Sequence, residues 1–218
     1  MYIAGVDEAG RGPVLGPMVM AIASIKKEDE FKLRAIGVKD SKLLTPHRRY
    51  ELFNVIKDLC ETNVVIVSPQ EIDEALTTPT DNLNWLEART AAKLIDKISA
   101  KKVILDCPST NLEGYKNYIK KHLKNKKIEI VVEHKADLNH LIVSAASIIA
   151  KVVRDEEIEK IRVKTGKEIG SGYSSDPTTQ KFIDENWSKK EYSKFIRKSW
   201  DTWQRRHHQN AQKKLGEF

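Results

Sequence analysis

The beginning of the chain limits its possible folds more than any other segment. Tyr2–Val6 has the composition of a buried strand, and Asp7-Glu8-Ala9-Gly10-Arg11-Gly12-Pro13 follows it directly. Neighbouring side chains of a regular strand point to opposite faces, so Asp7 and Glu8 can approach one cation only if the strand ends and twists there. The glycines allow a ligand to come close to the backbone. The alternative is a polar strand end with a tight surface turn.

Two further acids follow apolar runs in the same way. Asp106 ends the run Val103–Leu105, and Asp137 follows Glu133–Ala136, just beyond the run Ile128–Val132. Ligand sites of open α/β sheets gather at the carboxyl ends of strands, so we expect these acids to meet there. Asp137 could instead cap a helix that begins near Asn139. Without a Cys or His ligand cluster, carboxylate oxygens favour Mg²⁺ or Mn²⁺ over Zn²⁺.

The order of the segments predicts an α/β fold with a mixed sheet flanked by helices. Strands are predicted at Tyr2–Val6, Val14–Ile25, Val64–Ser68, Val103–Leu105 and Ile128–Glu133. Helices are predicted at Pro46–Cys60, Leu83–Ile98, Leu112–Leu123 and Asn139–Val163, with more helices from about Asp176 onward. We expect an antiparallel front half and a more parallel back half. Residues 1–172 would form the catalytic domain and residues 173–218 a basic, helical, substrate-binding region.

The basic charge of the chain is concentrated near its C-terminus. Between Ser188 and Lys214 there are nine basic and two acidic residues, an excess that equals the net charge of +7 of the whole chain. Such a segment suits a polyanion such as nucleic acid, and a solvated basic tail is the alternative. We expect its aromatic residues to pack inward and its basic residues, including Arg197 and Lys198, to face outward.

Three other segments carry residues suited to nucleic acid. Ser144, Ser147, Lys151 and Arg154 share one helix face, which borders either a wet cleft where phosphates bind or bulk solvent. The loop Gly170–Pro177 displays Tyr173, which could stack on a sugar or base. The loop Lys39–Leu43 displays Lys42, a possible phosphate contact. Glycine-rich and polar loops with such residues are also common on ordinary surfaces.

Together these motifs resemble ribonuclease HII, in the order found in that family. The resemblance covers residues 1 to about 203, and the Asp-Glu-Ala-Gly-Arg-Gly-Pro block is its most specific part. The basic helical tail is most similar to archaeal members. The matching segments are Asp7–Pro17, Lys39–Leu43, Leu105-Asp106, Lys135–Asp137, Ser144–Lys151 and Gly170–Pro177.

The resemblance implies an RNase H-like fold and a role for each matching residue. Asp7, Glu8, Asp106 and Asp137 would be the catalytic acids and metal ligands. Gly10, Arg11 and Gly12 would contact ribose 2′-hydroxyls, and Tyr173 would stack at the RNA–DNA junction. Phosphates and nearby parts of the substrate would be held by Lys42, Ser147, Lys151, Arg197 and Lys198.

The reaction implied by the resemblance is hydrolysis with two ions of Mg²⁺ or Mn²⁺. Cutting on the 5′ side of a ribonucleotide, in an RNA–DNA hybrid or within duplex DNA, would leave 3′-OH and 5′-phosphate ends. The rivals are a non-catalytic nucleic-acid binder and a nuclease or integrase that acts on DNA alone. The four acids argue against the binder, because they place negative charge near a phosphate.

The cell compartment and a protein partner can also be inferred from the sequence. No apolar run approaches the roughly 20 residues that span a bilayer, and no signal peptide is evident. Two cysteines without a disulfide pattern favour a reducing cytoplasm. Gln212, Leu215 and Phe218 have the spacing of a sliding-clamp (PCNA) binding box, so we expect weak docking to the clamp.

Overall fold

The structure is a computed structural model that describes residues 1–38 and 44–215, with side chains as far as residue 208. Its contacts divide the chain into two compact units. The first contains Met1–Ala9, Val19–Ile66 and Asn82–Val153, and the second contains Gly10–Met18, Val67–Asp81 and Arg154–Phe218. These units are assembled from separate segments, unlike the predicted linear boundary after residue 172. The division into a catalytic and a substrate-binding region stays a prediction.

The sheet is mixed, as the sequence predicts. Within the described part of the chain it has five strands in the order β3-β2-β1-β4-β5. Strand β1 is antiparallel to β2 and parallel to β4, and β4 is parallel to β5. The strands are β1 (Tyr2–Ala9), β2 (Met18–Lys26), β3 (Glu61–Val67), β4 (Lys102–Asp106) and β5 (Glu129–Glu133).

The second strand is shorter than predicted. The sequence predicts a strand from Val14 to Ile25, but β2 begins at Met18. The backbone amides of Val14 and Leu15 donate to the carbonyl of Gly172, at 2.9 and 3.2 Å, instead of joining a sheet ladder. Residues 14–17 are as apolar as a strand because they are buried in the second unit, so composition alone could not place the strand's start.

Nine α-helices are present among the described residues. They are α1 (Glu30–Ala35), α2 (Pro46–Leu59), α3 (Pro69–Thr77), α4 (Leu83–Ile95), α5 (Leu112–His122), α6 (Ala136–Asn139), α7 (Leu141–Thr165), α8 (Pro177–Asn186) and α9 (Asp201–Leu215). Thr45 caps α2, since its side chain accepts from the amide of Arg48. Helices α1 and α3 were not predicted. The predicted helix Asn139–Val163 is divided by extended backbone at His140.

The core of the first unit lies between the sheet and the first half of α7. Gly5 of β1 lies beneath this helix, and a Cβ there would be 2.5 Å from the backbone of Ile142. The glycine therefore allows strand and helix to approach closely. The buried residues include Val19, Ala21, Ala23, Ile142, Ala146 and Ile149.

The second unit has its own apolar core, so the C-terminal segment is a packed structure rather than a loose tail. Buried residues from the loop after β1 meet residues from α7, α8 and the C-terminal segment. They are Val14, Leu15, Ile161, Ile169, Phe182, Ile183, Ile196 and Trp203. Trp187, Tyr192, Phe195 and Trp200 pack against them, in line with the predicted inward aromatics. None of the described helices is both long and apolar enough to cross a membrane.

Candidate active site

The strand that carries Asp7 was predicted to end at Val6, but β1 continues to Ala9 in regular pairing with β2. Asp7 instead lies where β1 stops pairing with the parallel strand β4, and Asp106 is the last residue of β4. Val6 of β1 pairs with Leu105 of β4, so Asp7 and Asp106 are the next residues on the two strands. Glu8 follows on β1, where its backbone amide donates to Asp7 Oδ1 at 2.8 Å. The parallel pairing therefore brings together acids that are about a hundred residues apart in the sequence.

Asp7 occupies an environment that disfavours its negative charge. Its side chain is 5% exposed. Burial raises the pKa of Asp7 well above its usual value, and the charges of Glu8 and Asp106 raise it further. Hydrogen bonds from the Ser147 hydroxyl and from the Glu8 amide act in the opposite direction. A cation bound beside Asp7 would relieve both the desolvation and the repulsion.

Asp137 directly follows a residue that contacts Asp106. The backbone amide of Ala136, at the start of α6, donates to Asp106 Oδ1 at 2.9 Å. Asp137 is the next residue and is 6% exposed. It lies in the first turn of α6, whereas the residue just before α7 is His140. Asp137 is therefore not the N-terminal cap of α7, which was the alternative role for it.

The donor chemistry of these acids fits a hard divalent cation. Carboxylate oxygens are the ligands that Mg²⁺ and Mn²⁺ prefer. Among the described residues, no group of three or more His, Cys, Asp or Glu side chains is arranged so that it could already hold a metal ion. The fit therefore rests on the oxygen donors and on the unfavourable charge at Asp7.

The polar stripe of α7 does not face bulk solvent. Ser144, Ser147 and Arg154 are buried, and Lys151 is half-buried. Ser147 was predicted to bind substrate, and its hydroxyl bonds to the Asp7 carboxylate. The solvent-facing alternative for this stripe is therefore wrong. Contacts of Ser147 and Lys151 with substrate stay predictions.

The Gly10–Gly12 loop belongs to the second unit and needs glycine at its first position. Gly10 has a φ of 76°, a left-handed conformation that L side chains rarely adopt. A Cβ at this residue would also lie 2.8 Å from the carbonyl oxygen of Pro17. Arg11 is half-buried and Gly12 is exposed.

Arg197 faces inward, which corrects the prediction that the basic residues of this segment face outward. It is 0% exposed, and its guanidinium donates to the carbonyls of Gly10, Arg11 and Gly16. A buried guanidinium that binds three carbonyls has no surface to offer a phosphate, so the predicted direct contact with substrate is not supported. Lys198, by contrast, has an exposed side chain.

Tyr173 lies beside the same loop and is 41% exposed. A Cβ at Gly12 would be 3.8 Å from Tyr173 Cε1, and the Arg154 guanidinium lies 5.5 Å from the centre of the tyrosine ring. Arg154 also donates to the carbonyl of Ser171. The structure therefore brings together two residues predicted to contact substrate, Gly12 and Tyr173, on one side of the second unit.

Asp176 organises the loop that carries Tyr173. Its carboxylate accepts from the amides of Ser171 and Thr178 at 2.6 and 2.8 Å. Hydrogen bonds from Ser171, together with those from neighbouring amides, lower the pKa of Asp176 to about 2. No function was predicted for Asp176 from the sequence. The Asp-Pro pair, a helix-start signal, was the clue that could have identified it as a cap of α8.

Several predicted contacts lie outside what the structure describes. Lys42 belongs to residues 39–43, and Phe218 follows the last described residue. The side chains of Gln212 and Leu215 are likewise outside the described set. Their predicted roles stay predictions.

Comparisons with known proteins agree with the fold and with the order of the motifs. Residues 4–203 match the family model for ribonuclease HII. A ribonuclease HII from Methanococcus maripaludis is 45% identical over 205 residues, which cover 92% of this chain and 84% of the relative.

Two solved structures are similar over nearly the whole chain. The ribonuclease H2 of Pyrococcus horikoshii is 42% identical, with a TM-score of 0.86 and coverage of 96% of this chain and 98% of that one. The ribonuclease HII of Archaeoglobus fulgidus, solved in a complex with PCNA, is 37% identical, with a TM-score of 0.83 and coverage of 92% and 96%. The fold is thus RNase H-like, and the chain belongs to the ribonuclease HII family of nucleases, which cleave RNA in RNA–DNA hybrids.

Proposed function

We propose that this protein hydrolyses RNA in RNA–DNA hybrids and also cuts at single ribonucleotides embedded in duplex DNA. It cuts on the 5′ side of the ribonucleotide and leaves 3′-OH and 5′-phosphate ends by two-metal-ion catalysis. The observation that carries this proposal is the buried Asp7 carboxylate, which parallel pairing of β1 and β4 places beside Asp106. A protein gains from such an arrangement when cations bind there.

The four acids are the proposed catalytic and metal-binding residues. Asp7, Glu8, Asp106 and Asp137 would hold Mg²⁺ or Mn²⁺, cations that prefer carboxylate oxygen ligands. When bound, such ions activate water and stabilise the charge that develops on a phosphate.

Residues around the acids fix the carboxylates in place. The Ser147 hydroxyl orients the Asp7 carboxylate, and the Ala136 amide orients that of Asp106. Charged partners that are already oriented reduce the reorganisation needed during the reaction. We assign no role in proton transfer to a histidine.

Most of the residues that we propose recognise substrate belong to the second unit. Gly10, Arg11 and Gly12 would contact the ribose 2′-hydroxyl, the group that distinguishes RNA from DNA. Tyr173, exposed beside Gly12, would stack on a sugar or base at the junction. The lysines at 42, 151 and 198 would bind phosphates by charge.

Cleavage of a DNA duplex that contains one ribonucleotide tests this proposal. With Mg²⁺ or Mn²⁺ we expect wild type to cut this duplex, and Asp137→Asn to cut it at least about a hundredfold more slowly. Retained folding of the variant is checked by its thermal midpoint. Binding without cutting under either metal would favour the non-catalytic binder, and cutting of an all-DNA duplex would favour the DNA nuclease.

We also propose that the C-terminus docks to the sliding clamp through Gln212, Leu215 and Phe218. The support is the spacing of these residues and the PCNA complex of the Archaeoglobus fulgidus relative. Deletion of Gln212–Phe218 should abolish binding to an archaeal clamp in a pull-down or calorimetric titration and leave cleavage of a short duplex unchanged. Equal clamp affinity of the two proteins would refute this proposal.

A further inference from the structure

A buried guanidinium holds the carbonyl side of the glycine loop. Arg197 Nη2 donates to the carbonyl of Gly10 at 2.6 Å, and Nη1 donates to that of Arg11 at 2.8 Å. Its Nε donates to the carbonyl of Gly16 at 3.0 Å. These are charge-assisted hydrogen bonds, which are about twice as strong as neutral ones. One side chain therefore fixes both ends of the loop that runs from residue 10 to residue 16.

Trp200 fixes the next peptide of the same loop. Its indole Nε1 donates to the carbonyl of Gly12 at 2.9 Å. The Arg197 guanidinium lies 4.9 Å from the centre of the Trp200 ring, within the range of a cation–π contact. Together the two side chains bind three successive carbonyls, those of Gly10, Arg11 and Gly12.

Arg197 is itself held firmly by its surroundings. Its backbone amide donates to the carbonyl of Val14 at 2.9 Å, and the preceding Ile196 forms an antiparallel bridge with Leu15. The Asp73 carboxylate accepts from the amides of Lys198 and Ser199, each at 2.9 Å. The guanidinium is therefore presented to the loop from a fixed backbone.

The direction of the peptides shows what this arrangement achieves. The described chain contains no cis peptide bond, so each amide N–H points away from the carbonyl of its own peptide. The carbonyls of Gly10 and Arg11 point to Arg197, which directs the N–H groups of Arg11 and Gly12 to the opposite side. Successive N–H groups that point the same way form a site for an electronegative atom.

We propose that Arg197 and Trp200 are positioning residues that determine specificity for ribonucleotides. They hold the loop so that the N–H groups of Arg11 and Gly12 stay aimed at the ribose 2′-oxygen. This inference rests on the proposed function, because it assumes that the loop reads the 2′-hydroxyl. Lysine cannot replace Arg197, since its single ammonium lacks the planar fork that reaches three carbonyls.

Conservative substitutions test this proposal without emptying the core. Arg197→Lys keeps the charge and loses the fork, whereas Trp200→Phe keeps an aromatic side chain and loses the N–H donor together with part of the ring area. Arg162→Lys is the matched control, because Arg162 is a half-exposed residue of the same unit that pairs with Glu159 and Glu168. Thermal midpoints establish that each variant is folded, and Trp200→Phe keeps the test decisive if Arg197→Lys does not fold.

The readout is the preference for a duplex with one ribonucleotide over the same all-DNA duplex. It is measured as a ratio of Kd values in the Asp137→Asn background, so that the substrate stays uncut. We expect the ratio to fall about tenfold for Arg197→Lys and about threefold for Trp200→Phe, with no change for the control. The slope of log affinity against log salt should stay the same, whereas loss of a phosphate contact lowers it by about one.

The possible results separate this inference from the proposed function. If the Asp137→Asn reference prefers the ribonucleotide and both variants keep that preference, the inference is wrong and the proposed function stands. A lower salt slope for Arg197→Lys with an unchanged ratio would mean that Arg197 contacts phosphate directly, which also overturns the inference. If the reference itself shows no preference, recognition of the 2′-hydroxyl fails and the inference fails with it.

Discussion

The acids at the end of the sheet and the glycine loop of the second unit are held in opposite ways. Asp7 is buried next to like charges, and its surroundings raise its pKa. The loop, in contrast, has its carbonyls bound by Arg197 and Trp200. The acids thus lower the folding stability of the metal-free protein, and a bound cation would offset this cost. In the loop, the same contacts that stabilise the fold also shape the surface that we propose binds substrate.

This difference predicts opposite responses to substitution. Removing a charge from the acid group should abolish activity and stabilise the metal-free protein. Disturbing the loop should lower both activity and stability.

Asp7→Asn should give the largest effect. We expect cleavage to fall about a thousandfold or more. In metal-free buffer its free energy of unfolding should rise by about 1 kcal/mol, because the amide carries no charge to desolvate or repel. Urea titration in EDTA measures the stability, and Asp58→Asn on the exposed face of α2 is the control. A destabilised Asp7→Asn would contradict the description of the acids as an unfavourable charge cluster.

Gly10→Ala should lower both stability and activity. The substitution places a side chain at a φ of 76° and a Cβ 2.8 Å from a carbonyl oxygen, so we expect a loss of about 2 kcal/mol in the free energy of unfolding. Gly166→Ala is a close control, because Gly166 has a φ of 61° but nothing within 4 Å of its Cβ position. Its loss should be about 1 kcal/mol. Equal losses in urea titrations would show that the close contact with Pro17 is unimportant.

Tyr173→Ala should affect activity alone. The ring is partly exposed, so we expect the free energy of unfolding to change by less than about 0.5 kcal/mol. Cleavage of the single-ribonucleotide duplex should fall about tenfold, the value of one lost stacking contact. Tyr173→Phe keeps the ring and should retain most of the activity. If Tyr173→Phe and Tyr173→Ala lose activity equally, the tyrosine hydroxyl rather than ring stacking is required for cleavage.

Asp176 should give the smallest effect, seen in the dependence of stability on pH. Its pKa is lowered from 3.8 to about 2, so the folded state favours the carboxylate. Its contribution to stability is therefore present above about pH 4 and is lost as the pH falls towards about 2. The difference in unfolding free energy between wild type and Asp176→Ala should narrow over that interval. A constant difference would mean that the charge of Asp176 does not stabilise the loop.

The sequence predicted the acid group better than the loop, for a physical reason. Each acid directly or closely follows a local apolar run, and parallel pairing of β1 with β4 makes Asp7 and Asp106 neighbours. The inward position of Arg197 depends on contacts with residues more than 180 positions away, and no local pattern reports them.

Two errors in the predicted elements have different causes. The apolar Val14–Pro17 segment is buried in the core of the second unit, which made it resemble the start of β2. Helix α3 was missed although Ser68 and Glu71 form a capping box, whose Ser-x-x-Glu spacing is visible in the sequence.

Mapping the ends that wild type produces on a DNA duplex with one ribonucleotide decides whether the protein is a metal-dependent nuclease that recognises ribonucleotides. The substrate is labelled at either end in turn and incubated with Mg²⁺ or Mn²⁺. We expect one metal-dependent cut on the 5′ side of the ribonucleotide, with a 3′-OH on one product and a 5′-phosphate on the other. A cut on the 3′ side, a cyclic phosphate end, or equal cutting in EDTA would contradict it.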